Sequence, residues 1–231
     1  MKILKLMTLV SALYAVNAFA DTNEIKANLE KAFDLKVESI EKTNYGGLYE
    51  VVTQDTILYT DEKGSFVIAG SLIDTKTLED VTEARMKKLT AIDFNSLPLD
   101  KALKRVHGNG ERVLATFEDP NCGYCKRLYS EIDKLDNVTV YTFLIPILGK
   151  DSVKKTTNIW CAKDRNAAWS AWMKEHKTPT DAENCEEPTN EILALARKLQ
   201  IRGTPMVLMA NGERMNGYGS ASAIEELLSK K

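Results

Sequence analysis

The chain has no excess of charge of either sign, since 31 Lys and Arg stand against 33 Asp and Glu among its 231 residues. The two signs are interspersed, so no basic face is predicted that would hold a polyanionic backbone by counterion release. Histidine is scarce, and neither His107 nor His176 has a neighbouring cysteine or carboxylate at metal-ligand spacing. The sequence therefore predicts no nucleic-acid partner, no metal site and no cofactor.

Long apolar runs are missing except near the N-terminus. There, Lys2 and Lys5 precede an apolar run from Leu6 to about Val16, which is followed by Ala18-Phe19-Ala20. The run is shorter than the roughly 20 residues that span a bilayer, and small residues occupy the cleavage positions. We interpret residues 1–20 as a secretory signal peptide cleaved after Ala20 rather than as a membrane anchor, and we expect no membrane insertion elsewhere.

Cysteine is also sparse, and all four residues lie in the second half of the chain: Cys122, Cys125, Cys161 and Cys185. A secreted chain meets an oxidising compartment, where disulfides are the default expectation. The Cys-x-x-Cys spacing favours pairing 122 with 125, and 161 with 185. A zinc site made from all four is the alternative, but it would need a second close pair, which the sequence lacks.

The first part of the mature chain, residues 21–77, is predicted to be a small α+β domain. A helix from Glu24 to Phe33 is followed by four short β-type runs, at Lys36–Glu41, Leu48–Thr53, Thr56–Thr60 and Phe66–Ile73. Because this segment has few large apolar side chains, it would bury little surface on its own. We therefore expect a dimerisation domain that needs another chain to complete its core. Residues 78–92, rich in mixed charges, are predicted to form a helical linker.

Residues 93–231 are predicted to form an α/β domain. The nearly continuous apolar run from Arg112 to Phe117 suits a strand buried on both faces. The cysteine motif, a helix to about Leu135 and a strand at Val138–Ile145 follow, which makes a β-α-β unit. We expect a helical insertion over about 152–199.

The C-terminal segment predicts a hairpin and a helix. Met206–Ala210 and a second strand ending near Tyr218 flank Asn211-Gly212, a dipeptide that favours a type I′ turn. Ser222 and Glu225 have capping-box spacing, which predicts the start of the last helix.

The Cys-x-x-Cys motif is predicted to be redox-active. Disulfide exchange needs a thiolate, whereas a free cysteine has a pKa of about 8.5. Cys122 follows Asp119-Pro120-Asn121 at the first turn of a helix, where unpaired N–H groups favour a charged sulfur. We therefore expect Cys122 to attack and Cys125, one turn further along, to be the buried resolving thiol. Half of a zinc site and an inert short-range disulfide are the alternatives.

The motifs together resemble the DsbC/DsbG family of periplasmic disulfide isomerases, in the thioredoxin superfamily. The resemblance covers nearly the whole mature chain and rests on Phe117-x-Asp119, Cys122-Gly-Tyr-Cys125, Ile159–Asp164 and Gly203-Thr-Pro205. It implies a thioredoxin-like domain with a helical insertion, preceded by a cystatin-like dimerisation domain and a helical linker. The implied assembly is a periplasmic, V-shaped homodimer whose cleft binds misfolded, disulfide-containing secreted proteins.

Individual roles follow from this resemblance. Thr204 and Pro205, with a cis bond between them, would face the cysteine pair and contact substrate together with Gly123 and Tyr124. Gly47 would lie at the dimer interface, although a turn glycine is its simpler interpretation. A membrane reductase of the DsbD type is the implied partner.

Cys161 and Cys185 are expected to form a structural disulfide in the helical insertion. A second catalytic pair is the alternative, but neither cysteine has the helix-start context of Cys122.

The leading functional hypothesis is a disulfide isomerase with chaperone activity. The alternatives are a DsbG-like or DsbA-like thiol oxidoreductase and a dimeric holdase chaperone. Thioredoxin keeps a buried Asp six residues before its first cysteine, and that position here is Thr116. Glu118 and Asp119 are near in sequence, but strand alternation does not show that either reaches Cys125, so neither is assigned a catalytic role.

Overall fold

The computed structural model describes residues 22–180 and 185–229. The predicted signal peptide and its cleavage site lie outside the described residues. The chain divides into two compact units between residues 86 and 87. Within the described ranges, no helix combines the length and the apolar character that crossing a membrane requires.

The first unit is a helix packed on a four-stranded antiparallel sheet. Its elements are α1 (Thr22–Phe33), β1 (Val37–Lys42), β2 (Tyr49–Thr53), β3 (Ile57–Thr60) and β4 (Ile68–Ala69), with strand order β1-β2-β3-β4. Ile25 and Leu29, one turn apart on α1, are buried against Val37 and Val51 of the sheet. This packing confirms the predicted helix and the first three predicted strands.

The predicted strand Phe66–Ile73 is wrong in extent, because only Ile68 and Ala69 pair with β3. Beyond Ala69, the chain directs its backbone hydrogen bonds elsewhere: the Leu72 carbonyl accepts from Val81 N at 2.9 Å, and Ile73 forms an isolated bridge with Asp80. The apolar pattern alone could not show this change of partner.

Helix α2 (Val81–Thr90) begins as part of the first unit. Met86 packs against the cluster of Val52, Ile57 and Tyr59 on the sheet. Nearby, Arg85 Nε donates to Glu50 Oε1 at 2.9 Å. The first half of α2 therefore covers apolar surface of the sheet rather than being surrounded by water.

The described part of the second unit contains five strands and five further α-helices. The elements are β5 (Leu103–His107), β6 (Arg112–Glu118), α3 (Gly123–Ile132), β7 (Val138–Leu144), α4 (Lys150–Trp160), α5 (Arg165–Glu175), α6 (Thr189–Lys198), β8 (Met206–Met209), β9 (Arg214–Asn216) and α7 (Ala221–Ser229). The strands form one sheet in the order β5-β7-β6-β8-β9. Strands β6 and β7 are parallel and the other neighbours are antiparallel, so α3 between β6 and β7 completes the predicted β-α-β unit.

Strand β6 is buried on both faces, as its apolar run predicts. Phe117 packs with Ile192 of α6 on one face, while Leu114 packs with Leu128 of α3 on the other. The Phe117 ring also stacks on Phe143 of β7, with a centroid distance of 4.9 Å. Because side chains pack against both faces of this central strand, the position of its C-terminal end, where the cysteine motif begins, is well defined.

The sheet edge and the hairpin differ from the sequence predictions. Strand β5 was not predicted, because charged Lys104 and Arg105 interrupt its apolar pattern at the edge of the sheet. The type I′ turn is wrong: Gly212 has φ +87°, but Asn211 has no positive φ, and type I′ needs both. A Cβ on Gly212 would lie 2.8 Å from the Ile92 carbonyl oxygen, so glycine is required there for space as well as for φ.

The predicted capping box is also wrong, because Ser220 rather than Ser222 caps α7. Ser220 Oγ accepts from Ala223 N at 3.3 Å, and Glu225 forms an ion pair with Arg112 of β6. The local spacing predicts that the Glu225 carboxylate completes the cap, but it pairs with the distant residue Arg112 instead.

The helical insertion contains α4, α5 and α6, and a disulfide joins Cys161 at the end of α4 to Cys185. A break between α4 and α5 was not predicted. Asp164 caps α5 there, and its side chain accepts from Ala167 N at 2.9 Å.

Removing this disulfide should destabilise the protein by about 3.5 kcal/mol, because closing a loop of this length limits the conformations of the unfolded chain. The variant Cys161→Ala/Cys185→Ala, compared with the parent by urea unfolding, measures this difference. Each sample should keep the same redox state at Cys122 and Cys125. A loss below about 1 kcal/mol would contradict the entropic account.

Candidate active site

Cys122 occupies the N-cap of α3, directly after the turn that ends β6. In this turn, Asp119 Oδ1 accepts from Asn121 N at 2.7 Å, and Cys122 N donates to the Asp119 carbonyl at 3.0 Å. Cys122 keeps extended backbone angles, and the helix begins at Gly123. The turn therefore delivers the sulfur to the unpaired amides of the first helical turn.

Two hydrogen bonds position the Cys122 sulfur. Cys125 N donates to Cys122 Sγ at 3.3 Å, and the Cys122 thiol donates to the Thr204 carbonyl, also at 3.3 Å. The Thr204–Pro205 peptide bond is cis, as predicted. An amide that points at the sulfur, together with the dipole of α3, favours negative charge on Cys122.

The two cysteines differ in access to solvent. Cys122 is 6% exposed and Cys125 is 0% exposed. Burial raises the pKa of the Cys125 thiol far above its ordinary value, and the charge of Glu118 raises it further. Cys125 therefore needs a proton acceptor before it can act as a nucleophile.

Glu118, the last residue of β6, is a fully buried carboxyl group whose charge acts on this thiol. Its Oε1 accepts from Thr116 Oγ1 at 2.7 Å, and Thr116 Oγ1 lies 2.9 Å from the Thr142 hydroxyl. Among the described residues, Glu118 Oε2 has no hydrogen-bond partner. Burial raises the pKa of Glu118 to about 7, although the Thr116 hydrogen bond and the charge of Arg105 lower it.

Asp119, by contrast, uses its carboxylate to join segments of the chain. Besides Asn121 N, it accepts from Leu148 N at 2.9 Å and from Ser152 Oγ at 2.7 Å. The buried carboxylate thus holds the start of α4 against the cysteine loop, with its hydrogen bonds satisfied.

Trp172 of α5 supports the same loop, because its Nε1 donates to the Pro120 carbonyl at 2.6 Å. Lys126 and Lys155 place their Nζ atoms 3.9 and 4.2 Å from the Trp172 ring centroid. The sequence signal for this residue was only its spacing of three from Trp169, which predicted a packing face.

The structure brings most of the predicted site residues together. Gly123 and Tyr124 form the first turn of α3 beside Cys122, and the Tyr124 side chain is 58% exposed. Thr204 contacts Cys122 through its carbonyl, and the cis peptide bond joins Thr204 to Pro205. Among the residues that the structure describes, no group of three or more His, Cys, Asp or Glu is arranged to hold a metal ion.

Three predicted residues lie elsewhere. The Cys161–Cys185 disulfide belongs to the helical insertion and does not include either cysteine of the motif. Gly47 belongs to the first unit, in the turn between β1 and β2, with φ +77°. Apart from its two chain neighbours, no described residue has an atom within 4 Å of the position that a Cβ would occupy there. Gly47 therefore satisfies the needs of a turn, and its role in a dimer stays a prediction.

Two family comparisons cover most of the chain. Residues 16–83 match the disulfide bond isomerase protein N-terminal domain, and residues 99–231 match the thioredoxin-like domain. The fold class predicted from the sequence is thereby confirmed for both parts.

Individual relatives agree with these matches. The chain is 46% identical over 194 residues to the probable thiol:disulfide interchange protein DsbC of Bordetella pertussis, which covers 84% of this chain and 69% of the relative. It is 30% identical over 230 residues to the thiol:disulfide interchange protein DsbC of Escherichia coli K12, and this match covers 96% of this chain and 93% of the relative. A crystal structure of the disulfide interchange protein from Neisseria gonorrhoeae matches with a TM-score of 0.55 and 40% identity, over 57% of this chain and 96% of that one. The chain therefore belongs to the DsbC family of thiol:disulfide interchange proteins.

Proposed function

We propose that the protein is a disulfide isomerase that rearranges incorrect disulfides in secreted proteins. The observation that carries this proposal is the placement of Cys122 Sγ at the N-cap of α3, between the Cys125 amide and the Thr204 carbonyl. The Cys122 thiolate attacks a substrate disulfide, forms a mixed disulfide and releases one substrate thiolate. Another substrate thiol then displaces Cys122 and forms a new substrate disulfide. Alternatively, Cys125 attacks Cys122, which forms the Cys122–Cys125 disulfide and releases the substrate.

Substrate contacts are assigned to the exposed rim of the cysteine loop. Thr204, joined to Pro205 by the cis bond, binds Cys122 through its carbonyl, and Gly123 and Tyr124 follow Cys122 in the first turn of α3, so the site offers backbone groups and an aromatic ring. Leu148, whose amide binds Asp119, is a further exposed apolar residue beside this loop. Exposed apolar groups of this kind suit segments of misfolded chains, and they support a chaperone activity alongside the exchange chemistry.

The cellular setting follows from the predicted signal peptide and from the chemistry. Cleavage after Ala20 would deliver the mature chain to the periplasm. Isomerisation begins with a free Cys122 thiolate, so the Cys122/Cys125 pair must be kept reduced in an oxidising compartment. A membrane reductase of the DsbD type is the proposed electron donor.

The domain division completes the proposal: residues 21–77 dimerise, 78–92 link and 93–231 catalyse. Strand β4 supports dimerisation because it is an edge strand whose free side can pair with another chain. Phe66 and Ile68 are large apolar side chains exposed on this segment. Gly47 would contribute through the β1–β2 turn.

Two other functions have a specific basis. A DsbG-like or DsbA-like oxidant would use the same sulfur geometry but would be found with Cys122 and Cys125 joined in the cell. A dimeric holdase chaperone would rely on the apolar rim and not on the thiols. The redox state of the pair in a periplasmic extract distinguishes the oxidant, since a fully oxidised pair would contradict the isomerase.

Replacing Cys122 with Ala should abolish refolding of scrambled ribonuclease while suppression of aggregation remains, because the substitution removes the nucleophile and leaves the rim intact. Recovery of ribonuclease activity and light scattering of a denatured client measure the two effects. The matched variant Cys125→Ala should still form the mixed disulfide. Refolding at the parent rate by Cys122→Ala would refute the proposed mechanism.

Replacing Ile68 with Lys should weaken the dimer by about 2 kcal/mol, roughly 30-fold in dissociation constant, because a charge would be buried at the β4 edge. Sedimentation at several concentrations measures the mass in solution. Val106→Lys is the matched control, since Val106 is 54% exposed and Ile68 is 47% exposed, but Val106 lies on β5 of the other unit. A parent protein that is monomeric at every concentration would overturn the dimer.

A further inference from the structure

Glu118 is a buried titratable group that the exchange mechanism above does not use. It is 0% exposed, it ends the central strand of the second unit, and its Oε2 finds no hydrogen-bond partner in the part of the chain that the structure describes. A buried polar atom without a partner is uncommon in native proteins and costs folding free energy. Such a group at a reactive centre therefore suggests a chemical use.

The sheet register places Glu118 on the face that α3 covers. Glu118 is the register partner of Leu144 on β7, and Leu144 packs in one cluster with Cys122, Cys125 and Tyr129. Thr116, two residues before Glu118 on the same face, donates to its carboxyl group. Glu118 and Cys125 therefore lie on the same buried side of the sheet, which explains the electrostatic interaction between them.

The other groups that face Glu118 include one positive charge. Arg105 reaches it from β5 and interacts with it electrostatically. Asp133 and Tyr129 hold Arg105: its Nη1 donates to Asp133 Oδ1 at 2.8 Å, and its guanidinium carbon lies 3.8 Å from the Tyr129 ring centroid.

The neutral neighbours of Glu118 are the hydroxyls of Thr116 and Thr142 and, from α3, the Cys125 thiol. With Arg105 near, these surroundings allow Glu118 to exist in both protonation states.

We propose that Glu118 accepts the proton of the Cys125 thiol when Cys125 resolves the mixed disulfide. This inference rests on the proposed function and adds a residue to its last step. Cys125 Sγ attacks Cys122 Sγ, the bond between Cys122 and the substrate sulfur breaks, and the substrate thiolate leaves. The Cys125 proton moves to the Glu118 carboxylate, so atoms and charge balance without any further oxidant or reductant.

A consequence is that pH controls how long the mixed disulfide persists. The pKa of Glu118 is raised to about 7, so its carboxylate is protonated in acid and cannot accept a proton there. As pH rises through 7, the ionised fraction grows and release by Cys125 becomes faster. Below pH 7, the mixed disulfide lasts longer, which leaves more time for a substrate thiol to displace Cys122 and complete an isomerisation.

The test follows one turnover of the whole mature protein with a peptide that carries a single disulfide. Acid quenching and mass spectrometry give the rates at which the Cys122 mixed disulfide forms and decays between pH 5.5 and 8.5. In the parent protein, the decay rate should rise with a midpoint near pH 7 and then level off. Glu118→Gln should slow decay about 100-fold at pH 7.5 and remove the midpoint, because an amide accepts no proton.

Thr116→Val provides a second test that keeps the carboxyl group. Thr116 lowers the pKa of Glu118 through its hydrogen bond, so its removal should move the midpoint to higher pH. A substitution that merely damaged packing would slow decay without moving the midpoint. Glu111→Gln, at an exposed carboxyl just before β6, is the matched control and should keep the parent profile.

The outcomes separate the two proposals. If no mixed disulfide forms at Cys122 in the parent protein, the proposed function fails. If it forms, and both Glu118→Gln and Thr116→Val decay with the parent rate and midpoint, the role of Glu118 is refuted. If Glu118→Gln does not fold, the midpoint of Thr116→Val decides the matter alone.

Discussion

The site depends on the three hydrogen bonds that the Asp119 carboxylate accepts at the end of β6. One bond closes the turn before Cys122, and the other two bind Leu148, just before α4, and Ser152, in the first turn of α4. A buried carboxylate is costly unless such donors satisfy it, so the same bonds that stabilise the charge also fix the loop. The N-cap position of Cys122, and with it the charge-favouring amide of Cys125, follows from this anchor.

Glu118 and Asp119 show how neighbouring carboxyl groups acquire different roles. The two side chains have different partners: Asp119 meets backbone and hydroxyl donors, while Glu118 meets the Thr116 hydroxyl, the Cys125 thiol and the charge of Arg105. Because its hydrogen bonds are satisfied, Asp119 has a structural role and joins the cysteine loop to the start of α4. Incomplete hydrogen bonding, with burial, raises the pKa of Glu118 to about 7 and leaves it able to exchange a proton.

Much of the fold could be predicted because long apolar patterns are decided by burial. The run that became β6 is central and covered on both faces, and the β-α-β unit around Cys122 followed from it. Predictions failed where an alternative partner competed. The segment after Ala69 pairs with residues near Asp80, and Glu225 pairs with Arg112 instead of capping α7. No local pattern reports such long-range choices.

The sequence by itself determined the chemistry that is possible: a Cys-x-x-Cys pair at a helix start after a buried strand, with Thr204-Pro205 before a later strand. Only the tertiary structure decided which carboxyl group is placed to accept a proton from Cys125. That choice depends on how α3, β5 and β7 pack around the end of β6 and bury Glu118. A pKa is set by desolvation and by nearby charge, and both exist only once the chain has folded.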